Sequence, residues 1–345
     1  MSSEIDLRAN RPPFRSLVHH LVSDVAREAE RFDECLLTDR VLPSRVQVRH
    51  ETAAAHWLER YHNVHKPSAT LLCGSGQQAL ACALLTLCKS GDTIAAEESV
   101  YLGVILLAGM LGLKTVPIPI DKDGIVPRAL ATLCKRERPK VVFCMPNLQS
   151  PTTVTLPEDR RQSIAALARQ HDFWIIEDDV LGAYVEHPLA PFRSLLPERS
   201  ILFTSFSKVI ALGAATGIVS VPPELQDQMN ANIRVAGGTV NPVFWEAMTL
   251  LIDRGQLDEV IVANRAEVRS RVAIAESILG DSGLVTKINC PHAWLPLPTS
   301  TTLSDFMLRA HSRNIKVMRS DQFAVNAASS RAAVRITLGG ARDRS

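Results

Sequence analysis

Seven short apolar runs, mostly separated by stretches with helical spacing, set the limits on what this chain can fold into. They occupy residues 70–73, 93–96, 114–118, 141–144, 173–176, 200–204 and 217–221. Each is nearly continuous in apolar residues and so reads as a strand buried on both faces. Strands of that kind separated by helices make a mainly parallel, helix-covered sheet. The spacers 77–88, 127–135 and 157–171 read as helices, and the last opens with Pro157, Glu158 and Asp159, as a helix start does. Residues 242–279 form one long charge-rich helical region, with Gly255 as its break, placed like an interdomain connector. Beyond it, 286–297, 303–312, 316–319 and 335–338 read as a small α+β domain. With 345 residues, 46% of them hydrophobic, there is chain enough for one large α/β domain and a smaller companion. The expected division is 1–40 as an N-terminal arm or part of the small domain, 41–240 as the large domain, and 241–345 as connecting helix and small domain.

Charge and aromatic content narrow the partners. A net charge of +2 and 5% aromatics supply neither a basic stripe nor stacking platforms, so nucleic acid is not expected as a partner. Residues 1–15 are polar, without the apolar core of a signal peptide, and the most apolar stretch, 103–113, is too short to span a bilayer. The expectation is a soluble, cytoplasmic protein that does not engage membranes. Seven cysteines, at 35, 73, 82, 88, 134, 144 and 290, form no C-x-x-C pair and are odd in number. They suggest neither a zinc cage nor a full disulfide framework, and read as small buried hydrophobes. The ten histidines lack metal-ligand spacing, with His19, His20, His62 and His65 in polar sequence surroundings, and no metal is expected.

In open α/β sheets ligands lie beyond the carboxyl ends of the strands, so the residues just after the apolar runs carry the chemistry. Lys208 closes Ile201-Leu-Phe-Thr-Ser205-Phe-Ser207-Lys208, and Glu177-Asp178-Asp179 closes the run before it. An amine and a carboxylate delivered to one sheet end suit a carbonyl cofactor and a Schiff base. Gly74-Ser75-Gly76-Gln77-Gln78 follows a strand and opens a helix, where free amides favour an anion such as phosphate; a Gly-Ser-Gly turn is equally simple punctuation. Pro146-Asn147-Leu-Gln149-Ser150-Pro151 is the fourth polar loop. Either aspartate of the acidic triplet could instead be a helix N-cap.

In their order and spacing these segments, with Ser90-Gly-Asp92, Glu97 to Tyr101, Arg160-Arg161 and Val334-Arg335, resemble the fold type I, pyridoxal-phosphate-dependent aminotransferases. Within them the resemblance is to the aminotransferase-like domain of MocR/GntR regulators, and it runs over about residues 5–338. The implied fold is a seven-stranded, mainly parallel large domain with a smaller α+β domain. The implied cofactor is pyridoxal 5′-phosphate, with Lys208 forming the Schiff base and then moving a proton at the substrate α-carbon. Asp178 would face the pyridine nitrogen, with Asp179 as competitor and Glu177 third. Ser75, Gly76, Gln77, Ser205 and Ser207 would hold the phosphate and Tyr101 would lie against the ring, unless it is simply core. Arg335 would clamp the substrate α-carboxylate, unless it is an ordinary surface arginine. An amino acid or derivative is the implied substrate, and a homodimer the implied assembly.

Three departures surround that cofactor. Ala215 replaces the family's phosphate arginine, leaving Thr216 or a second subunit to compensate. Val180 and Leu181 stand where the tyrosine that reaches the phenolic oxygen is expected. Ser150 and Thr153 replace the asparagine and glycine of the Asn-Pro-x-Gly motif. They leave open an aminotransferase, another pyridoxal-phosphate reaction such as elimination, replacement or carbon–carbon bond formation, and an effector-sensing regulatory domain. The chain begins almost where the resemblance does, so no DNA-binding module is expected. The tyrosine-glycine signature expected in 37–44 is not recognisable.

Overall fold

In the computed structural model the residues described are 4–13, 20, 21, 23, 44–65, 67, 69–211, 216–237, 240–327 and 330–340. Ala215 and most of residues 14–43, including nearly all of the stretch searched for the tyrosine-glycine signature, lie outside them. So does Cys35, while the other six cysteines are free thiols.

In chain order the strands are β1 (Ile5–Asp6), β2 (Thr70–Cys73), β3 (Thr93–Glu97), β4 (Lys114–Ile118), β5 (Ile120–Asp121), β6 (Gly124–Ile125), β7 (Val141–Cys144), β8 (Trp174–Asp178), β9 (Ser200–Ser205), β10 (Gly217–Ser220), β11 (His292–Pro296), β12 (Ile315–Lys316), β13 (Met318–Arg319) and β14 (Ala333–Thr337). The helices are α1 (Ser44–His62), α2 (Gly76–Leu87), α3 (Leu102–Met110), α4 (Pro127–Glu137), α5 (Glu158–His171), α6 (Phe192–Leu195), α7 (Gln226–Gly237), α8 (Pro242–Asp253), α9 (Gln256–Leu279) and α10 (Leu303–Ser312).

All seven apolar runs join one sheet, in the order β2-β10-β9-β8-β7-β3-β4. Only β10 runs antiparallel to its neighbours. The chain moves outward from β3 to β4 and then returns to place β7 on the other side of β3. That reversal opens a crevice at the strands' carboxyl ends. Side chains alternate across the sheet. Ile176, Phe203 and Phe143 pack with the apolar face of α2, while Ile175, Val142 and Phe173 pack with α4 and α5. By the same alternation Asp178 shares the α2 face with Ile176, and Glu177 points the other way.

The run expected at 173–176 begins one residue later and takes in the acids, because Glu177 and Asp178 pair with Leu202 and Phe203 of β9. The connector is two helices, α8 and α9, joined at Gly255, whose φ of +69° favours glycine. The smaller sheet is β11-β14-β13. The stretch 316–319 divides between sheets: β13 joins β14, while β12 pairs in parallel with β1. The N-terminal segment is thereby fastened to the C-terminal part of the chain, and Leu7 continues it by donating to Lys316 and accepting from Thr337.

Candidate active site

The free amides of a helix start face the crevice first. Ser75 caps α2 by accepting from Gln78 N at 3.0 Å. The amides of Gly76 and Gln77, in the first turn, have no carbonyl within the helix to bond. Beside them β9 ends in Ser205, whose hydroxyl lies 2.5 Å from that of Ser207 and accepts from Ser207 N. The chain then tightens into a 3₁₀ turn, Phe206–Lys208, which delivers Lys208 to the same cavity. This cavity, of about 440 Å³, is lined by all ten residues singled out in the sequence: Ser75, Gly76, Gln77, Tyr101, Ser150, Asp178, Ser205, Ser207, Lys208 and Arg335.

Two cations in it lack a carboxylate of their own. Burial, and then the Arg335 charge, push the Lys208 ammonium below the usual lysine range, against a smaller pull from Asp178. Its amine makes no hydrogen bond or ion pair among the described residues, while its carbonyl accepts from Tyr184 Oη at 2.9 Å. Arg335 is buried, its guanidinium pushed down to about 10 by burial. It donates to Ser150 Oγ at 2.9 Å and to Arg8 O at 2.6 Å, lies 4.9 Å from the centre of the Phe323 ring, and leaves Nε unpartnered. No carboxylate pairs with it among the described residues.

The three acids of the triplet have different surroundings. Asp178 lines the cavity, accepts among the described residues only from Val180 N at 3.1 Å, and is pushed up to about 7 by burial, with Asp179 adding and Lys208 opposing. Asp179 is turned away and held by His62 and Asn147. Glu177, buried on the opposite face, accepts from Arg193 N. The helix N-cap alternative is not what the structure shows: the next helical turn is Gly182–Tyr184, whose cap position is Leu181 with no side-chain bond, and the Asp178–Val180 contact is a local turn bond at the strand end. Tyr101 is partly exposed and donates to Gln77 Oε1 at 2.9 Å. A Cβ on Gly103 would stand 2.3 Å from its ring.

At the departures, Val180 and Leu181 make an apolar wall, and the Ser150 hydroxyl is engaged by Arg335. Thr153 keeps a φ of +67°, the left-handed conformation its glycine counterpart would adopt freely, and its buried hydroxyl has no partner among the described residues.

Four features escaped the sequence. Arg8, Ala9 and Asn10 line the cavity although they lie far from every other lining residue in the chain. Tyr184 steadies Lys208. Asn147 holds Asp179. His62, read from its polar neighbours as lying in polar surroundings, is instead buried beside Trp57 and bonded to Asp179. The neighbours mislead because His62 ends α1, whose inner face packs on the core.

The family profile of aminotransferase class I and II matches residues 2–342. This chain belongs to that family. It is 26% identical over 269 residues to the uncharacterized HTH-type transcriptional regulator YdeF of Bacillus subtilis, an alignment covering 78% of this chain and 58% of that protein. It is 30% identical over 219 residues to the HTH-type pyridoxine biosynthesis transcriptional regulator PdxR of Corynebacterium glutamicum, covering 63% and 47%. The bovine mitochondrial kynurenine/alpha-aminoadipate aminotransferase is 31% identical over 184 residues, covering 49% and 43%. The chain thus spans about half the length of the curated relatives it matches. Its fold is shared with kynurenine aminotransferase of Pyrococcus horikoshii, solved with PMP, at a TM-score of 0.89 and 20% identity over 98% of this chain and 87% of that one. LysN, the alpha-aminoadipate aminotransferase of Thermus thermophilus, matches at 0.86 and 19%, over 99% and 88%.

Pyridoxal 5′-phosphate is the cofactor of this family, and the residues present fit it. Among the described residues, a buried amine without a partner, a carboxylate with a single hydrogen bond, and a helix start with free amides share one cavity. No arginine or lysine stands beside Ser75 and Ser205 in that lining; Arg8, Lys208 and Arg335 are its only such cations among the described residues.

Proposed function

We propose that the chain is a pyridoxal-phosphate-dependent enzyme acting on an α-amino acid or a derivative, most closely an aminotransferase. The observation that carries this reading is the delivery of Lys208 and Asp178 by adjacent parallel strands to one cavity that also holds Arg335. When bound, the cofactor supplies an electron sink for negative charge at the substrate α-carbon. Gly76, Gln77, Ser75, Ser205 and Ser207 would hold its phosphate, Asp178 its ring nitrogen and Tyr101 one ring face. Lys208 would be its covalent anchor, and once displaced by a substrate amine would carry the proton at the α-carbon. A lysine already below its ordinary range is suited to that exchange. Arg335, fixed by Ser150 and by the Arg8 carbonyl, would orient the α-carboxylate.

The same reading includes a large domain over 41–240, a smaller part over 241–345 joined by the N-terminal arm, a cytoplasmic location and a homodimer. The pairing of β1 with β12 supports the second of these. No helix among the described residues is long and apolar enough to cross a membrane.

A second reading is an effector-sensing domain, favoured by similarity to the two HTH-type regulators. Incubation with pyridoxal phosphate, borohydride reduction and peptide mass spectrometry test both: the label is expected on Lys208 alone. An unlabelled Lys208 in folded protein defeats both readings. Keto-acid formation from an added amino acid selects the aminotransferase, and amino-acid binding without turnover the sensor.

A further inference from the structure

We propose that His62, Asn147 and Asp179 form a buried anion holder behind Asp178, fixing a second negative charge that strengthens its hold on a proton shared with the cofactor's ring nitrogen. This rests on the reading of the cavity as a pyridoxal-phosphate site. Asp179 Oδ2 lies 2.6 Å from His62 Nδ1, and Asp179 Oδ1 accepts from Asn147 Nδ2 at 2.8 Å. Asn147 is oriented in turn by Arg161, whose Nη2 donates to its Oδ1 at 2.8 Å. Every member of this line is buried. The backbone is fastened as well: Asp179 N donates to Phe203 O, and Thr204 Oγ1 donates to Asp179 O. Gly182 leaves the space, since a Cβ there would stand 2.3 Å from Asp179 Oδ2 and 2.6 Å from His62 Nδ1.

An ionised carboxylate only accepts, so the His62 tautomer that bonds Asp179 in that form is the one with N–H at Nδ1. The His62 Nε2 is buried with no partner among the described residues. A bare lone pair tolerates that position, whereas a second N–H would be an unsatisfied donor. The imidazole orients Asp179 through the Nδ1 bond, which makes His62 a positioning residue. Asp178 and Asp179 are neighbours in the chain, and like charges at that separation raise each other's proton affinity. The other groups that share Asp178's field are Lys208 after β9, Glu97 at the end of β3, Tyr101 before α3 and Cys144 at the end of β7.

The test uses the full-length apoprotein, labelled with carboxyl ¹³C-aspartate and ¹⁵N-histidine and titrated by NMR, with Asp178→Asn assigning the signal. In Asp179→Asn the Asp178 midpoint is expected to fall by about one unit. His62→Gln keeps an N–H donor and is expected to leave it in place. His62→Leu removes the partner that fixes Asp179 behind Asp178 and is expected to lower the midpoint likewise; this pair suffices if Asp179→Asn fails to fold. The dissociation constant for pyridoxal phosphate at about pH 8.5, above the Asp178 range, is expected to rise up to about tenfold in the lowered variants. An Asp178 midpoint that stays put in folded Asp179→Asn or His62→Leu overturns the inference. So does a His62 protonated on both nitrogens. Wild-type protein that takes up no pyridoxal phosphate while its carboxyls titrate as described would defeat the cofactor reading and leave the aspartate pair standing.

Discussion

At the scale of single residues, the site is defined by groups that burial has left incomplete. Arg335 is a buried cation balanced by a hydroxyl, a carbonyl and an aromatic ring, none of which carries a formal charge. A carboxylate in the cavity would complete it, and a charge-assisted pair contributes about 1.5–3 kcal/mol. Arg335→Leu is therefore expected to raise KM for an α-amino acid roughly ten- to a hundredfold, with kcat less affected, in steady-state kinetics. Thr153 is incomplete in another sense: a β-branched residue in the left-handed region, with an orphaned hydroxyl. Thr153→Gly is expected to stabilise the protein by about 1 kcal/mol, read from urea denaturation; a loss of stability would show that its methyl packing outweighs the strain. Gly182→Ala should do the opposite. Its added carbon must break the His62–Asp179 bond or shift β8, at about 2 kcal/mol or more.

At the scale of elements, adjacent strands and one helix start do the positioning. Strands β8 and β9 run parallel with Asp178 opposite Phe203, so the acid and the turn carrying Lys208 emerge side by side without any loop having to reach. Helix α3 sets Tyr101. Gly103, in its first turn, gives no steric hold to the backbone but leaves room for the Tyr101 ring and the Gln77 amide. Gly103→Ala gains helix propensity worth about 0.5–1 kcal/mol and displaces a hydrogen bond of similar worth. The melting temperature is expected to change little while the affinity for pyridoxal phosphate falls, measured by fluorescence titration. An unchanged affinity would mean that Tyr101 does not lie against the ring.

At the scale of the whole molecule, three buried carboxylates make stability depend on pH. Burial pushes Glu97 and Glu177 up to about 8 and Asp178 up to about 7, from ordinary values of 4.5, 4.5 and 3.8. Between the ordinary and raised values the folded chain holds protons that the unfolded chain has released. Their stabilising effect is therefore complete below about pH 4 and is lost as pH rises through 7 to 8. The melting temperature of the apoprotein is expected to fall from pH 5 to pH 9, and to fall less with pyridoxal phosphate bound, because a cationic ring nitrogen would offset the charge on Asp178. Calorimetry across that range checks both.

How much of this was legible follows from what kind of information each part needs. Strand runs, helix starts and the break at Gly255 are local, written in apolar periodicity and in residues with special backbone preferences, and they appear within a residue or two of where the sequence placed them. Eight of the ten cavity residues could be singled out because they lie at or just after the ends of buried strands, at the one sheet end where a ligand can sit, whereas Tyr101 and Arg335 were implied by the family resemblance. The sequence did not reveal that His62 is buried, that Tyr184 steadies Lys208, or that an N-terminal segment walls the cavity. Those contacts join residues far apart in the chain and leave no periodic trace. The sequence by itself determined the architecture and the chemical groups gathered at the sheet's carboxyl end. The resemblance already favoured Asp178 as the acid facing the cavity; only the tertiary structure decided how Asp179 is held behind it, because that depends on partners supplied from α1 and the loop after β7.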